Sequence, residues 1–187
     1  MPSQVMKLLI GANICAVVTM IFICISLFTQ EWVTVSVSVL GIGVSDSAGI
    51  FPWGCISSNT CDAFWNNADG WDIMFFIVML LAWIFQFCAL IPAVMALFIP
   101  RFRRRCTHNF SAAQILVTLL LVVVLITYGI EYDRNTANLL PSGTAGLNVS
   151  LGSSYWLLLV ATIFSLVTAS ISGSASKKML HHDCEYY

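Results

Sequence analysis

Four long apolar runs that contain no Asp, Glu, Lys, Arg or His limit most strongly what this chain can fold into. A helix that spans a bilayer needs about 20 mostly apolar residues. Each run is near-continuous in Leu, Val, Ile and Phe rather than alternating, which argues against an outer-membrane barrel. The sequence therefore predicts an all-α membrane bundle of four helices, the first of which is retained rather than cleaved as a signal peptide. The predicted spans are residues 8–28, 73–99, 112–130 and 155–171.

The composition excludes several functional classes. Of the 187 residues, 59% are hydrophobic and 9% are charged, whereas a soluble domain carries about 25% charged residues. Ion-coupled transporters and voltage sensors need charged groups at membrane depth, and the runs contain no Asp, Glu, Lys, Arg or His. Gln86 and Gln114 are the strongest polar side chains within the runs, and we expect them to form interhelical hydrogen bonds.

Basic residues flank the runs and predict the orientation of the chain. Because Lys and Arg resist translocation, we expect segments 1–7, 100–111 and 172–187 to be cytosolic. Loops 29–72 and 131–154 are then outside the cell, and residues 1–187 form a single multi-pass domain of the plasma membrane. Seven of the eight cations belong to the cytosolic clusters, namely Lys7, Arg101, Arg103, Arg104, Arg105, Lys177 and Lys178.

The first outer loop carries a strand pattern. Residues 32–40 alternate Val with Thr or Ser, and this period of two with β-branched residues predicts a half-buried strand. We expect a turn at residues 41–43, a second strand or loop at 44–47, and another extended piece at 49–51. The loop is therefore predicted to form a small extracellular antiparallel sheet.

Two of the seven cysteines, Cys55 and Cys61, fall in the outer loops. The oxidising compartment and the five intervening residues favour a disulfide between them. The alternative, a zinc pair, lacks a His or a further Cys outside the cell to complete four ligands. Cys106, beside the arginines, and Cys184 are candidates for palmitoylation, the alternative being unmodified thiols.

These features resemble the claudin superfamily, which includes the claudins, the peripheral myelin proteins and the calcium-channel gamma subunits. The topology, the larger first outer loop and a Trp soon after the first span all match. The sequence also differs from the family pattern, because Phe51 replaces the family's Trp and the spacing around the cysteines is different. These differences indicate a divergent, invertebrate claudin-like member. The residues that stand for the family motif and its disulfide are Trp32, Gly49, Ile50, Phe51, Cys55 and Cys61.

The resemblance implies a protein of cell–cell junctions that contributes to adhesion and to a paracellular barrier or selective paracellular path. Its partners would be the lipid bilayer and like or related claudin-type proteins, in the same membrane and in the opposing one. The alternative is an auxiliary gamma-type subunit that regulates the trafficking or gating of an ion channel or receptor. Since no catalytic set can be assembled within one compartment, we expect no enzyme activity, cofactor, metal site or nucleic-acid partner.

Three further sites are expected at the ends of this topology. Asn148 lies in an Asn-Val-Ser sequon and is a predicted glycosylation site. Glu185, Tyr186 and Tyr187 suit addition as a strand in a PDZ groove, the alternative being a solvated tail. If the protein lines a paracellular path, carboxylates of the first outer loop favour cations, whereas they otherwise serve to keep the loop soluble. The acids farthest from the membrane ends of that loop are Asp46, Asp62 and Asp69.

Overall fold

The computed structural model describes residues 2–39, 42–50, 70–139 and 147–184. These residues form four long helices, each long and apolar enough to cross a membrane, which confirms the predicted membrane bundle. A 3-10 turn, Pro100–Phe102, joins the second helix to the third. The helices are α1 (Pro2–Phe28), α2 (Gly70–Phe98), α3 (Arg103–Leu139) and α4 (Ser153–Cys184).

The helices extend beyond the predicted spans. Helix α2 begins before Asp72, which lies in its first turn rather than in the preceding loop. Helix α3 runs through residues that the sequence assigned to both flanking loops, and α4 continues through the predicted cytosolic tail as far as Cys184. Polar residues do not end α4, because Ser170 and Ser174 bond back to the carbonyl oxygens four residues earlier at 2.9 and 2.8 Å.

Each helix packs against two antiparallel neighbours: α1 against α2 and α4, and α3 against the same two helices. Buried residues of α2 recur every three or four positions, a spacing typical of left-handed helix bundles. Four of them are alanines, which let the neighbouring backbones approach closely. The seven are Phe75, Met79, Ala82, Gln86, Ala89, Ala93 and Ala96.

A polar seam runs through the interior of the bundle. Gln86 on α2 donates to the carbonyl oxygen of Ala16 on α1 at 2.9 Å and accepts from Nε2 of Gln114 on α3 at 3.1 Å. The hydroxyl groups of Thr118 on α3 and Ser165 on α4 lie 2.7 Å apart. The predicted interhelical hydrogen bonds of both glutamines are therefore confirmed, and they link α1, α2 and α3 at one level.

The strands β1 (Val33–Val39), β2 (Ile42–Ala48) and β3 (Leu147–Leu151) form an antiparallel sheet in the order β2-β1-β3. Strand β1 confirms the alternating pattern. Ile42 and Gly43 belong to β2 rather than to the predicted turn. The sheet also differs from the prediction in taking β3 from the second outer loop, where five alternating residues are too few to distinguish a strand from a loop.

The two ends of the bundle differ, since one carries the sheet and the other carries most of the Lys and Arg residues, and each is named after this feature. The sheet end is the end at which α1 leads into β1 and β3 leads into α4. The basic end is the opposite one, where α1 begins, α2 is joined to α3, and α4 ends.

Candidate functional site at the sheet end

Trp32, the residue just before β1, is completely buried. Its indole Nε1 donates to the carbonyl oxygen of Ser26 in the last turns of α1, at 2.7 Å. Its ring stands edge-on to Tyr128 of α3, with centroids 4.9 Å apart, and Tyr128 in turn stands edge-on to Phe75 of α2 at 5.1 Å. The residue that leads into β1 is thus held directly by α1 and α3, and Tyr128 extends the aromatic contacts to α2. Aromatic pairs in this geometry stabilise a fold beyond the burial of their area.

Backbone hydrogen bonds join the segment that leaves α1 to the segment that enters α4. The N–H of Gly152 donates to the carbonyl oxygen of Trp32 at 2.7 Å, and the N–H of Ser154 donates to that of Glu31 at 3.0 Å. Ser26 Oγ returns a bond to the Ser154 carbonyl oxygen at 2.9 Å. The five residues Ser26, Glu31, Trp32, Gly152 and Ser154 are called the Trp32 anchor below.

Two glycines lie where backbones come too close for a side chain. A Cβ on Gly152 would overlap the carbonyl group of Glu31. A Cβ on Gly49 would lie 2.9 Å from the Cα of Gln30, a distance that real Cβ atoms do not show. Only glycine therefore fits at position 49 of this motif, because the chain after β2 returns closely against the end of α1. The next residue, Ile50, is buried in the same apolar cluster as Trp32.

The strand register places the predicted loop residues in rows across the sheet. Val35 of β1 lies opposite Asp46 of β2 on one side and opposite Val149 of β3 on the other. Ser36 pairs in the same way with Ser45 and Asn148. In the backbone register, the predicted carboxylate position Asp46 is therefore opposite Val35, and the sequon position Asn148 is opposite Ser36.

The remaining predicted residues are not brought to the anchor. Cys106 lies in the first turn of α3 as a half-buried free thiol, and Cys184 is the last residue of α4, so that both belong to the basic end. The others lie outside the described residues, namely Phe51, Cys55, Cys61, Asp62, Asp69, Glu185, Tyr186 and Tyr187.

Sequence reasoning missed the partners of Trp32. Ser26 and Tyr128 lie within apolar runs, where nothing distinguishes them from other helix residues. Gly152 and Ser154 carried a usable signal, because a Gly between a short alternating stretch and a Ser at a helix start is typical of a strand-to-helix junction.

The fold and the anchor define a four-span membrane protein whose two loops at one end share a single sheet. Over residues 3–184 the chain matches the family described as tight junction protein, claudin-like. The protein therefore belongs to the claudin-like tight junction family and is a multi-pass membrane protein of cell junctions, as the resemblance predicted. No curated protein matches the chain significantly.

Proposed function

We propose that this protein contributes to adhesion between cells and to a paracellular barrier or selective paracellular path. The observation that carries the proposal is the sheet built from both loops and seated on the bundle. Strand β1 of the first loop lies between β2 and β3, and β3 comes from the second loop. A sheet held in this way presents its strands at a fixed height above the helices, which suits repeated pairing with neighbouring molecules.

The proposed orientation places the sheet end outside the cell and the basic end in the cytosol. The distribution of cations supports it, because seven of the eight Lys and Arg belong to the basic end and cytosolic segments are enriched in these residues. Lys7, Lys177 and Lys178 are exposed there. The same orientation would expose Cys55 and Cys61 to oxidising conditions, and we propose their disulfide on that basis.

Lateral association in the membrane is the proposed route to strands of many molecules. One face of α1 presents a continuous stripe of branched apolar side chains away from the bundle, at intervals of three or four residues. Such a stripe faces either lipid or a neighbouring bundle. Its members are Ile10, Ile14, Val17, Ile21 and Ile25, each at least 40% exposed.

At the basic end, we propose palmitoylation of Cys106 and Cys184 and capture of the carboxyl-terminal Tyr187 by a PDZ scaffold. Cys106 is half-buried and directly follows three arginines. An acyl chain attached to it there would reach the membrane. These contacts would fix the protein beneath a junction without involving the sheet.

Expression of the protein alone in cells that lack junctional strands tests the proposal. We expect strands at cell contacts by freeze-fracture, and their loss in Trp32→Ala, which removes the ring that holds the sheet. Trp156→Ala is the matched control, since Trp156 is 56% exposed on α4. A diffuse membrane signal that concentrates only when a channel subunit is added would contradict the proposal and favour the auxiliary gamma-type role.

A further inference from the structure

The contacts between helices bring the dispersed cations of the sequence to one level of the bundle. On α3 and α4, Thr118 bonds to Ser165, and Ser111 Oγ lies 3.6 Å from the Cβ position of Gly173. In a pair of antiparallel helices, residues at the same level have falling numbers along one helix where they have rising numbers along the other. Less than two turns beyond the Ser111 contact, Arg105 is therefore level with Lys178.

The other pair of helices places its cations at the same level. Asn13 Nδ2 of α1 donates to the carbonyl oxygen of Ala93 on α2 at 3.4 Å, so that Lys7, two turns earlier on α1, is level with the end of α2. Arg103 Nε donates to the carbonyl oxygen of Ala96 at 3.0 Å, which ties the start of α3 to the same end. Since neighbouring helix axes lie about 8–10 Å apart, the seven cations share an area roughly 20 Å across.

Cations outnumber acids in the sequence of this end, because the seven Lys and Arg compare with two acids, Asp183 and Glu185, which follow the lysines of α4. Residues 73–130, which contain all four arginines of the cluster, include no Asp or Glu. Arg103, Arg104 and Arg105 occupy the first turn of α3, where the helix dipole itself favours anions. The local charges and the helix dipole therefore both favour an anionic ligand at the basic end.

Exposed apolar side chains next to these arginines in the chain indicate where that ligand resides. Phe98 is 78% exposed, Phe102 is 50% exposed, and Ile99 is 38% exposed. Phe98 and Ile99 precede Arg101 in the chain, and Phe102 lies between Arg101 and Arg103. Such a mixture of large apolar and cationic side chains is typical of segments lying at the boundary of headgroups and acyl chains. A soluble anion would draw no benefit from the apolar members.

We propose that the basic end binds the phosphate-bearing headgroups of anionic lipids and enriches them around the bundle. Arg101, Arg104, Arg105, Lys177 and Lys178, all exposed, supply the charge, and Phe98 and Phe102 hold them at headgroup depth. In the proposed orientation this surface faces the cytosolic leaflet, whose anionic lipids attract such clusters. The binding itself does not depend on the orientation or on the junctional role.

The test uses the full chain in phosphatidylcholine vesicles that contain trace spin-labelled phosphatidylserine or spin-labelled phosphatidylcholine. We expect phosphatidylserine to associate with the protein roughly two- to fivefold more strongly than phosphatidylcholine, with the ratio falling toward one at high salt. A variant with Gln at Arg101, Arg104, Arg105, Lys177 and Lys178 should lose this preference. A variant with Lys at the three Arg positions should retain it, because the charge is kept.

Arg134→Gln is the matched control, since Arg134 lies near the other end of α3 and its loss should leave the ratio unchanged. The proposal is overturned by an unchanged ratio in the Gln variant, or by an equal loss in Arg134→Gln. It is also overturned if inorganic phosphate displaces the labelled lipid more than chloride does at equal ionic strength, because the site would then be one for a soluble anion. If the Gln variant does not fold, the salt titration of the unaltered chain still tests the proposal, because a lipid preference that does not fall at high salt would show that the binding is not electrostatic.

Discussion

The indole nitrogen of Trp32 and the carbonyl oxygen of Ser26 lie 2.7 Å apart, so that the chain leaving α1 is bonded back onto the helix it has just left. The Ser26 hydroxyl meanwhile donates to Ser154 at the start of α4. One residue of α1 therefore fixes the first loop through its backbone and the second loop through its side chain. These two bonds contribute to the position of the sheet, together with the backbone bonds of the Trp32 anchor.

Trp32→Phe should destabilise the protein by about 2 kcal/mol, because the Ser26 carbonyl oxygen loses its indole donor and the smaller ring leaves space beside Tyr128. Thermal unfolding in detergent measures the change. Trp156→Phe should have little effect, since Trp156 is 56% exposed. Equal shifts in the two variants would mean that the hydrogen bond of Trp32 contributes nothing specific.

Gly152→Ala should disrupt the junction between β3 and α4, because the added methyl group overlaps the Glu31 carbonyl group. We expect a loss of roughly 2 kcal/mol or more and reduced delivery to the cell surface. Gly11→Ala is the control, since nothing lies within 4 Å of its Cβ position, and it should stabilise α1 by about 0.5–1 kcal/mol. A neutral Gly152→Ala would show that the two segments can separate at no cost.

Gln86→Leu should destabilise the bundle more than Gln114→Leu. The first change removes two hydrogen bonds, whereas the second removes one and also eliminates Gln114 Oε1, which is buried without a hydrogen-bond partner among the described residues. A double-mutant cycle should give a coupling of about 0.6 kcal/mol, the usual value within membranes. Strictly additive effects on unfolding would contradict a direct bond between the two side chains.

Glycosylation distinguishes the two ends of the bundle. Asn148 lies in β3 at the sheet end, and Asn109, in a second sequon, is exposed in the second turn of α3 at the basic end. We expect a glycosidase-sensitive mobility shift that disappears in Asn148→Gln and persists in Asn109→Gln, because only the end outside the cell is glycosylated. The reverse pattern would invert the proposed orientation.

Charge reversal in the first loop tests a selective path. In cell layers that express the protein, dilution potentials should show sodium preferred over chloride, and Asp46→Lys, Asp62→Lys and Asp69→Lys together should lower that preference, because fixed carboxylates attract cations near a narrow path. Asp183→Lys, near the end of α4, should leave it unchanged. Selectivity that does not respond to the three changes would leave a barrier role alone.

The sequence predicted the features that depend on local periodicity. The four helices and β1 follow from runs and alternation that extend over many residues, and an interhelical hydrogen bond for each of Gln86 and Gln114 follows from the cost of an unpartnered amide in a membrane. That the two glutamines bond to each other is seen only in the structure. The family motif also identified Trp32 and Gly49 before their contacts were known.

Features that depend on contacts between distant parts of the chain could not be predicted from the sequence. Strand β3 exists because its five residues find β1, more than a hundred positions earlier, and a short isolated strand has little stability of its own. Helices α3 and α4 extend beyond their predicted spans, because polar residues favour a loop by composition alone, although a helix tolerates them where their side chains bond within the helix or lie exposed.

The pairing of β3 with β1 makes the two loops structurally dependent on each other. Exchanging one loop between two claudin-like proteins would place β1 of one protein beside β3 of the other, and register pairs such as Val35 with Val149 would then join residues from different proteins. Chimaeras meant to transfer a loop property should therefore exchange both loops together with the residues of the Trp32 anchor. Variation at one of these strands is expected to be accompanied by variation at the other.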